Sequence, residues 1–259
     1  MSVAAIVEAL WTDTPGMALA PLGESFVLER AVARAARIEG LRALVCLLPD
    51  TSDADEAARR VEARGAAVVR ADAADPLAAF AHAALLTGAE TVLRLRGDRP
   101  YVDPGLCARV AALLGEADAD YACTDLPATW PHGLDCEAFP VRLLHWADSL
   151  AAHPAERACV TGWLRANPDL KTASLTGPGG EFARMRWVIE WPEDMAFAQA
   201  LEAAFGARAA AASAAEIASL CLRRPDLAAL NAGRGDMIRL RAGSRATVTT
   251  PPLTFSVVA

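Results

Sequence analysis

A carboxylate flanked by two arginines carries the most chemical potential in this chain: Asp98, within Arg96-Gly97-Asp98-Arg99-Pro100-Tyr101-Val102-Asp103-Pro104. The apolar run Thr91-Val92-Leu93-Arg94-Leu95 ahead of it reads as a buried strand. Asp103-Pro104 behind it is an N-cap followed by proline at the first helical position, which is how a helix starts. Asp98 therefore falls just past the carboxyl end of a strand, where open α/β sheets place their ligands. A carboxylate there can hold a divalent cation against a phosphate. It can equally be a turn residue whose oxygens cap backbone N–H groups, and the stretch alone leaves both readings open.

The neighbouring pattern supplies elements to position it. Residues 3–10 are a short apolar run expected as a first strand, and Trp11-Thr12-Asp13-Thr14-Pro15-Gly16 is a loop by its turn residues. Val27, Leu28, Ala31, Val32, Ala35 and Ile38 recur at helical spacing. Residues 44–48 form an apolar strand stopped by Pro49, 53–64 a surface helix closed by Gly65, and 66–69 a strand. Asp75-Pro76 opens the next helix with the same cap-then-proline device, and Leu106, Val110, Leu113 and Leu114 mark the one after Asp98. Strand and helix alternate strictly to this point. Right-handed crossovers then give a mostly parallel sheet with helices on both faces, a Rossmann-like α/β fold.

The second half breaks that rhythm. A strand is expected at 120–124, a half-exposed alternating strand at 134–141, helices at 143–152 and 156–166, and an edge strand at 171–175. Residues 184–191 alternate as a strand running into a helix that Pro192 starts. Helical segments at 214–222 and 225–230 and a β-rich end at 237–258 complete the chain. The reading is one α/β domain over 1–210, with a helical and β extension at 211–259 packed on it.

Composition narrows the function. The 259 residues are 54% hydrophobic with net charge −7, which suits an ordered globular protein. A non-specific nucleic-acid binder needs a surplus of Lys and Arg, so that class is disfavoured. None of the six cysteines forms a C-x-x-C pair, so they are expected as core thiols. Without a basic n-region or a bilayer-length apolar run, a cytoplasmic protein with no membrane span is expected. A Rossmann dehydrogenase is disfavoured because no G-x-G-x-x-G follows the first strand.

Four stretches in order resemble the cytidylyltransferase-like family of spore-coat polysaccharide biosynthesis, related to the CMP-sialate and CMP-KDO synthetases. They are the run from Arg94 to Pro104, Gly133-Leu134-Asp135-Cys136-Glu137-Ala138-Phe139, Glu156-Arg157-Ala158-Cys159-Val160-Thr161, and Ile189-Glu190-Trp191-Pro192-Glu193-Asp194. The likeness spans roughly 3–205. It implies a nucleotidyltransferase fold and an enzyme that joins a sugar hydroxyl to the α-phosphate of CTP, releasing pyrophosphate. By the same resemblance Mg²⁺ is the cofactor, held by Asp98 and Glu190. CTP or CMP and a sugar or sugar acid are the ligands, with Asp135, Glu137, Arg157 and Asp75 on the substrate side. Read as residues alone, Glu190, Asp135 and Glu137 could simply be outward-facing strand positions, and Arg157 a helix-surface residue.

The departure lies near the N-terminus. Where the family carries an Arg- and Lys-bearing loop for the triphosphate, this chain has Ala9 to Met17, with Trp11, Thr12, Pro15 and Gly16 and no cation. The family's histidine is Ala158 here. Arg96 and Arg99 are gained beside Asp98, either to neutralise phosphate or to stand in for the metal. Two outcomes are expected from this: a working cytidylyltransferase, or a silent relative that binds nucleotide or sugar as a partner subunit. A homodimer through a protruding arm bearing Trp130, Trp187 and Trp191 is expected by analogy, with core packing as the alternative reading of those tryptophans.

Overall fold

Between Val3 and Glu8 no side chain needs water: Ala4, Ala5, Ile6 and Val7 are all fully buried. A strand apolar on both faces belongs in the middle of a sheet covered on both sides. That is where it lies. The computed structural model describes residues 2–12, 15–235 and 248–249. In chain order the elements are β1 (Val3–Glu8), β2 (Pro21–Leu22), β3 (Ser25–Phe26), α1 (Val27–Ala35), β4 (Leu41–Pro49), α2 (Asp55–Glu62), β5 (Ala67–Ala71), α3 (Pro76–Leu86), β6 (Thr91–Arg96) and α4 (Pro104–Glu116). They continue with β7 (Tyr121–Cys123), β8 (Glu137–Pro140), α5 (Val141–Leu150), α6 (Pro154–Arg157), α7 (Gly162–Ala166), β9 (Thr172–Ser174), α8 (Gly180–Arg184), α9 (Pro192–Phe205), α10 (Ala214–Arg223), α11 (Pro225–Ala229) and β10 (Val248–Thr249).

One sheet carries the fold, in the order β10-β9-β7-β8-β6-β1-β4-β5. Every pairing is parallel except the two that β8 makes with β6 and β7. Alternate residues feed opposite faces, as the pleat requires. Ala5, Val7, Leu93 and Leu95 join one core, against α1, α4, α9 and α10, whereas Ala4, Ile6 and Val92 join the other, against α3 and α5. The expected architecture, a mostly parallel Rossmann-like sheet with helices on both faces, is the one observed. Asp75 and Asp103 cap α3 and α4 as read, accepting from Ala78 N–H at 3.1 Å and Leu106 N–H at 2.9 Å. Among the described residues no helix is long and apolar enough to cross a membrane.

Four local expectations are corrected. The strand at 134–141 is not half-exposed: β8 is buried along its whole length, because it lies between two other strands and under helices. Residues 172–174 are not an edge, since β9 pairs with β7 on one side and β10 on the other. Residues 156–166 split into α6 and α7 rather than forming one helix. Residues 184–191 do not form a strand. Only Arg186 bridges, to His132, and Trp187, Val188 and Ile189 are buried in succession without alternation. Most of the β-rich end expected at 237–258 lies outside the described residues; Val248 and Thr249 pair with Ala173 and Ser174.

Candidate active site

Three segments distant in sequence meet where β1 and β6 end. Glu8 and Arg96 are register partners at the carboxyl ends of these parallel strands. Gly97 N–H donates to the Glu8 carbonyl at 2.8 Å. Glycine is required there, since a Cβ would stand 2.7 Å from Leu28 Cδ1 and 2.9 Å from Ala9 Cβ. The turn carrying Asp98 is thereby pressed against the loop after β1. From the other side, Ile189 N–H donates to the Asp98 carbonyl at 2.9 Å, which brings Glu190 alongside. Together they frame a cleft of about 390 Å³ whose walls include Trp11, Pro15, Arg96, Asp98, Ala158 and Glu190. Strand ends of this kind are where ligands settle in open α/β sheets.

Arginines hold each carboxylate that lines the cleft among the described residues. Arg96 takes both Asp98 oxygens, Nε to Oδ1 at 3.2 Å and Nη2 to Oδ2 at 2.6 Å. The same Nη2 stands 4.0 Å from Glu190 Oε1. Arg99 Nε lies 3.4 Å from Asp98 Oδ1 on the other flank, and Arg99 also pairs with Asp135. Burial by itself would raise the Asp98 carboxyl, but Arg96 and then Arg99 outweigh it and hold the group below the usual carboxylate range. Asp98 is thus ionised at neutral pH and already neutralised by guanidinium. Among the described residues no group of three or more His, Cys, Asp or Glu side chains is gathered as a metal cage would need.

Glu190 is set by a buried clamp that sequence reading missed. Arg186 donates to Asp194 through Nε at 2.7 Å and Nη2 at 2.8 Å, and Nη2 also reaches Glu190 Oε2 at 2.8 Å. Asp194 further accepts from the backbone N–H of Glu190 at 3.1 Å, of Trp191 at 3.0 Å, and from Asn231 Nδ2 at 2.9 Å. Burial opposes its charge, yet Arg186 and these N–H groups keep its carboxyl below the ordinary value. The turn at Pro131–Leu134 rests on this segment. At Gly133, with φ +115°, a Cβ would lie 2.7 Å from the Trp187 carbonyl carbon and 2.8 Å from Val188 N. Gly133 N–H in turn donates to Asp135 Oδ2 at 3.0 Å. Asp135 therefore belongs to the same cluster as Asp98.

The other expected site residues are engaged inside the chain. Glu137 is buried one arginine away from the cleft wall: Arg94 bonds Glu137 Oε2 at 2.7 Å and Glu8 Oε2 at 2.8 Å. Tyr121 and Thr161 hydroxyls also donate to Glu137, Thr161 at 2.8 Å, and Arg165 Nε lies 3.5 Å away. Burial would raise this carboxyl, but Arg94 and Arg165 bring it down to about 2. Arg157 and Asp75 satisfy one another, Nε to Oδ2 at 2.8 Å, with Asp148 as second acceptor for Arg157. They tie α3 to α6 beside the cleft, with the Arg157 side chain partly exposed. In the loop, Trp11 and Pro15 line the cleft, Trp11 Nε1 donates to Asp53 at 2.7 Å, Thr12 sits in a bend, and Gly16 turns at φ +53°. Trp130 and Trp187 are fully buried against Phe182, so they are core and not a protruding arm. Trp191 is half exposed, with Arg234 over its ring.

A signal for the missed residues did exist. Arg94 interrupts an apolar strand, and a buried guanidinium must find carboxylates. Glu8, at the end of the central strand, is one of them.

Residues 17–170 match the model of the MobA-like NTP transferase domain. This chain belongs to that family. The match begins just past the loop that lacks cations. No curated protein matches the sequence. Among solved structures, a cytidylyltransferase from Leptospira borgpetersenii serovar Hardjo-bovis (strain JB197) superposes with TM-score 0.80 at 20% identity, over 88% of this chain and 96% of that one. A CMP:2-keto-3-deoxy-manno-octonic acid synthetase complexed with CTP gives 0.55 at 13% identity, over 79% and 99%. A manganese complex of Rv0371C from Mycobacterium tuberculosis H37Rv gives 0.55 at 19%, over 77% and 99%. At these identities the likeness is one of fold. This chain shares its fold with that cytidylyltransferase and with the CTP-bound synthetase.

Proposed function

We propose that this protein is a cytidylyltransferase-type nucleotidyltransferase acting in sugar activation for a surface polysaccharide. CTP enters the cleft between Trp11 and Pro15 on one side and the Asp98–Glu190 pair on the other, and a sugar or sugar acid approaches from the side of Asp135. The acceptor hydroxyl oxygen attacks the α-phosphorus in line, its proton passes to solvent, the bond to the α–β bridging oxygen breaks, and pyrophosphate leaves. The observation that carries this reading is the convergence of Asp98 and Glu190 at the mouth of the sheet, with Arg96 between them. The family match and the CTP-bound structural relative support the choice of nucleotide.

The Mg²⁺ implied by the resemblance does not fit the residues as arranged. Both Asp98 oxygens accept from Arg96, and Glu190 accepts from Arg186. No step is therefore assigned to a resident ion. Positive charge toward the phosphates comes from Arg96, whose side chain is nearly half exposed at the cleft and keeps further N–H donors for them. The loop after β1 positions the ligand through Trp11 and Pro15 rather than through charge.

Calorimetric titration of the purified chain with CTP, CDP and CMP tests the reading. Saturable CTP binding, tenfold weaker in Arg96→Ala, is expected in the absence of metal, and pyrophosphate release in the presence of a sugar acid distinguishes an enzyme from a binding subunit. Absence of binding by all three nucleotides contradicts it.

A further inference from the structure

Among the described residues the carboxylates facing the cleft are Glu8, Asp98 and Glu190, and each already accepts hydrogen bonds from an arginine: Arg94, Arg96 and Arg186 respectively. Arg96 is the one among these with its side chain open to the cleft, 45% exposed against 10% for Arg94 and 4% for Arg186. It is also the only one of them placed between two cleft carboxylates, bidentate on Asp98 and 4.0 Å from Glu190. A divalent cation shared by those two side chains would have to stand where that guanidinium stands. Mg²⁺ further demands near-octahedral oxygen ligands at about 2.0–2.1 Å, and Asp98 presents its oxygens to N–H groups on both flanks.

We propose that the Arg96 guanidinium takes the place of a divalent cation between Asp98 and Glu190, so that the cleft excludes the metal and receives a nucleotide without one, the latter half resting on the nucleotidyltransferase reading above. A guanidinium is suited to this. It is permanently charged, weakly hydrated, and presents donors to carboxylate and phosphate in one plane. Anchored to Asp98 by its Nε edge, Arg96 directs the remaining donors at whatever anion enters. The backbone supports the pose, because Arg96 ends β6 in register with Glu8 and its neighbour Gly97 is locked to β1. Arg99, paired with Asp135 and beside Asp98, keeps the second flank of Asp98 closed to a cation.

Mn²⁺ alone, followed by electron paramagnetic resonance on the full chain without nucleotide, tests the exclusion. The native protein should show little bound Mn²⁺, Arg96→Ala should bind it at least tenfold more tightly, and Asp98→Asn added to Arg96→Ala should erase that gain. Native protein binding Mn²⁺ as tightly as Arg96→Ala overturns the proposal, as does an Arg96→Ala protein, folded by circular dichroism, that gains nothing. The nucleotide half is read by CTP affinity in EDTA and in Mg²⁺. Native affinities should agree within twofold, whereas Arg96→Ala should lose at least tenfold in EDTA and recover in Mg²⁺. A native affinity that rises tenfold with Mg²⁺ overturns it. If CTP binds under neither condition the nucleotidyltransferase reading fails and the second half goes with it, but the Mn²⁺ comparison still decides the exclusion.

Discussion

Replacing Glu137 by alanine should lower the free energy of unfolding by roughly 3–5 kcal/mol, the cost of breaking a buried ion pair from one side. Glu137 is buried and joins Arg94, Arg165, Tyr121 and Thr161. Its removal leaves Glu8 as the remaining carboxylate on Arg94, beside the Thr161 hydroxyl, and Asp125 as the one on Arg165, in surroundings that screen charge poorly. Arg94 is 10% exposed, so it cannot simply turn to water. Urea denaturation of the two proteins measures the difference, and a loss under about 1 kcal/mol would mean the network is ornamental. The same group sets an acid limb. Its carboxyl titrates near 2 when folded against an ordinary 4.5, so its contribution is complete above pH 4.5 and fades as the pH falls toward 2. The stability gap between native protein and Glu137→Gln should therefore be constant above pH 5 or so and narrow below it. A gap that widens on acidification contradicts the assignment.

Asp194→Ala should cost a similar ~3–5 kcal/mol and, unlike Glu137→Ala, also remove the cleft's far wall. Asp194 is fully buried and gathers Arg186, two backbone N–H groups and Asn231. Without it, Arg186 is a buried cation facing one partly exposed carboxylate, and the backbone of Glu190 and Trp191 loses its acceptor. Glu190 would then drift from Asp98. Conservative replacement at Glu190 separates the two effects. Glu190→Gln touches a side chain 36% exposed, where an ion pair contributes about 1 kcal/mol or less, so stability should hold, and with one negative charge fewer facing the phosphates CTP should bind no more weakly. Thermal unfolding together with CTP titration reads both proteins. Equal destabilisation by Asp194→Ala and Glu190→Gln is the result that would undo the clamp.

Local chemistry made the first half legible. Asp75-Pro76 and Asp103-Pro104 announced their helices, and the apolar runs at β1, β4 and β6 announced a sheet buried on both faces. The position of Asp98 followed, because a strand and a capped helix bracket it. Alternation misled at residues 134–141 and 184–191. In the first case strands flank both sides, so polar Glu137 turns inward to arginines rather than outward to water. In the second the backbone makes a two-bond bridge with His132 and one bond to Asp98 instead of a ladder, and spacing along one segment carries no record of that. Arg157, assigned to the substrate side by resemblance, also pairs with Asp75 and Asp148, contacts that the spacing of these residues does not announce. The clamp at Asp194 was invisible for the same reason. Arg186 lies across a turn from it and Asn231 beyond two further helices.

A crystal structure of the chain soaked with CTP tests the central claim most directly. The triphosphate should lie between the Trp11 and Pro15 side chains and Arg96, within hydrogen-bond distance of that guanidinium and beside Asp98 and Glu190. Nucleotide bound elsewhere while this cleft stays empty, or no nucleotide at saturating CTP, would contradict it.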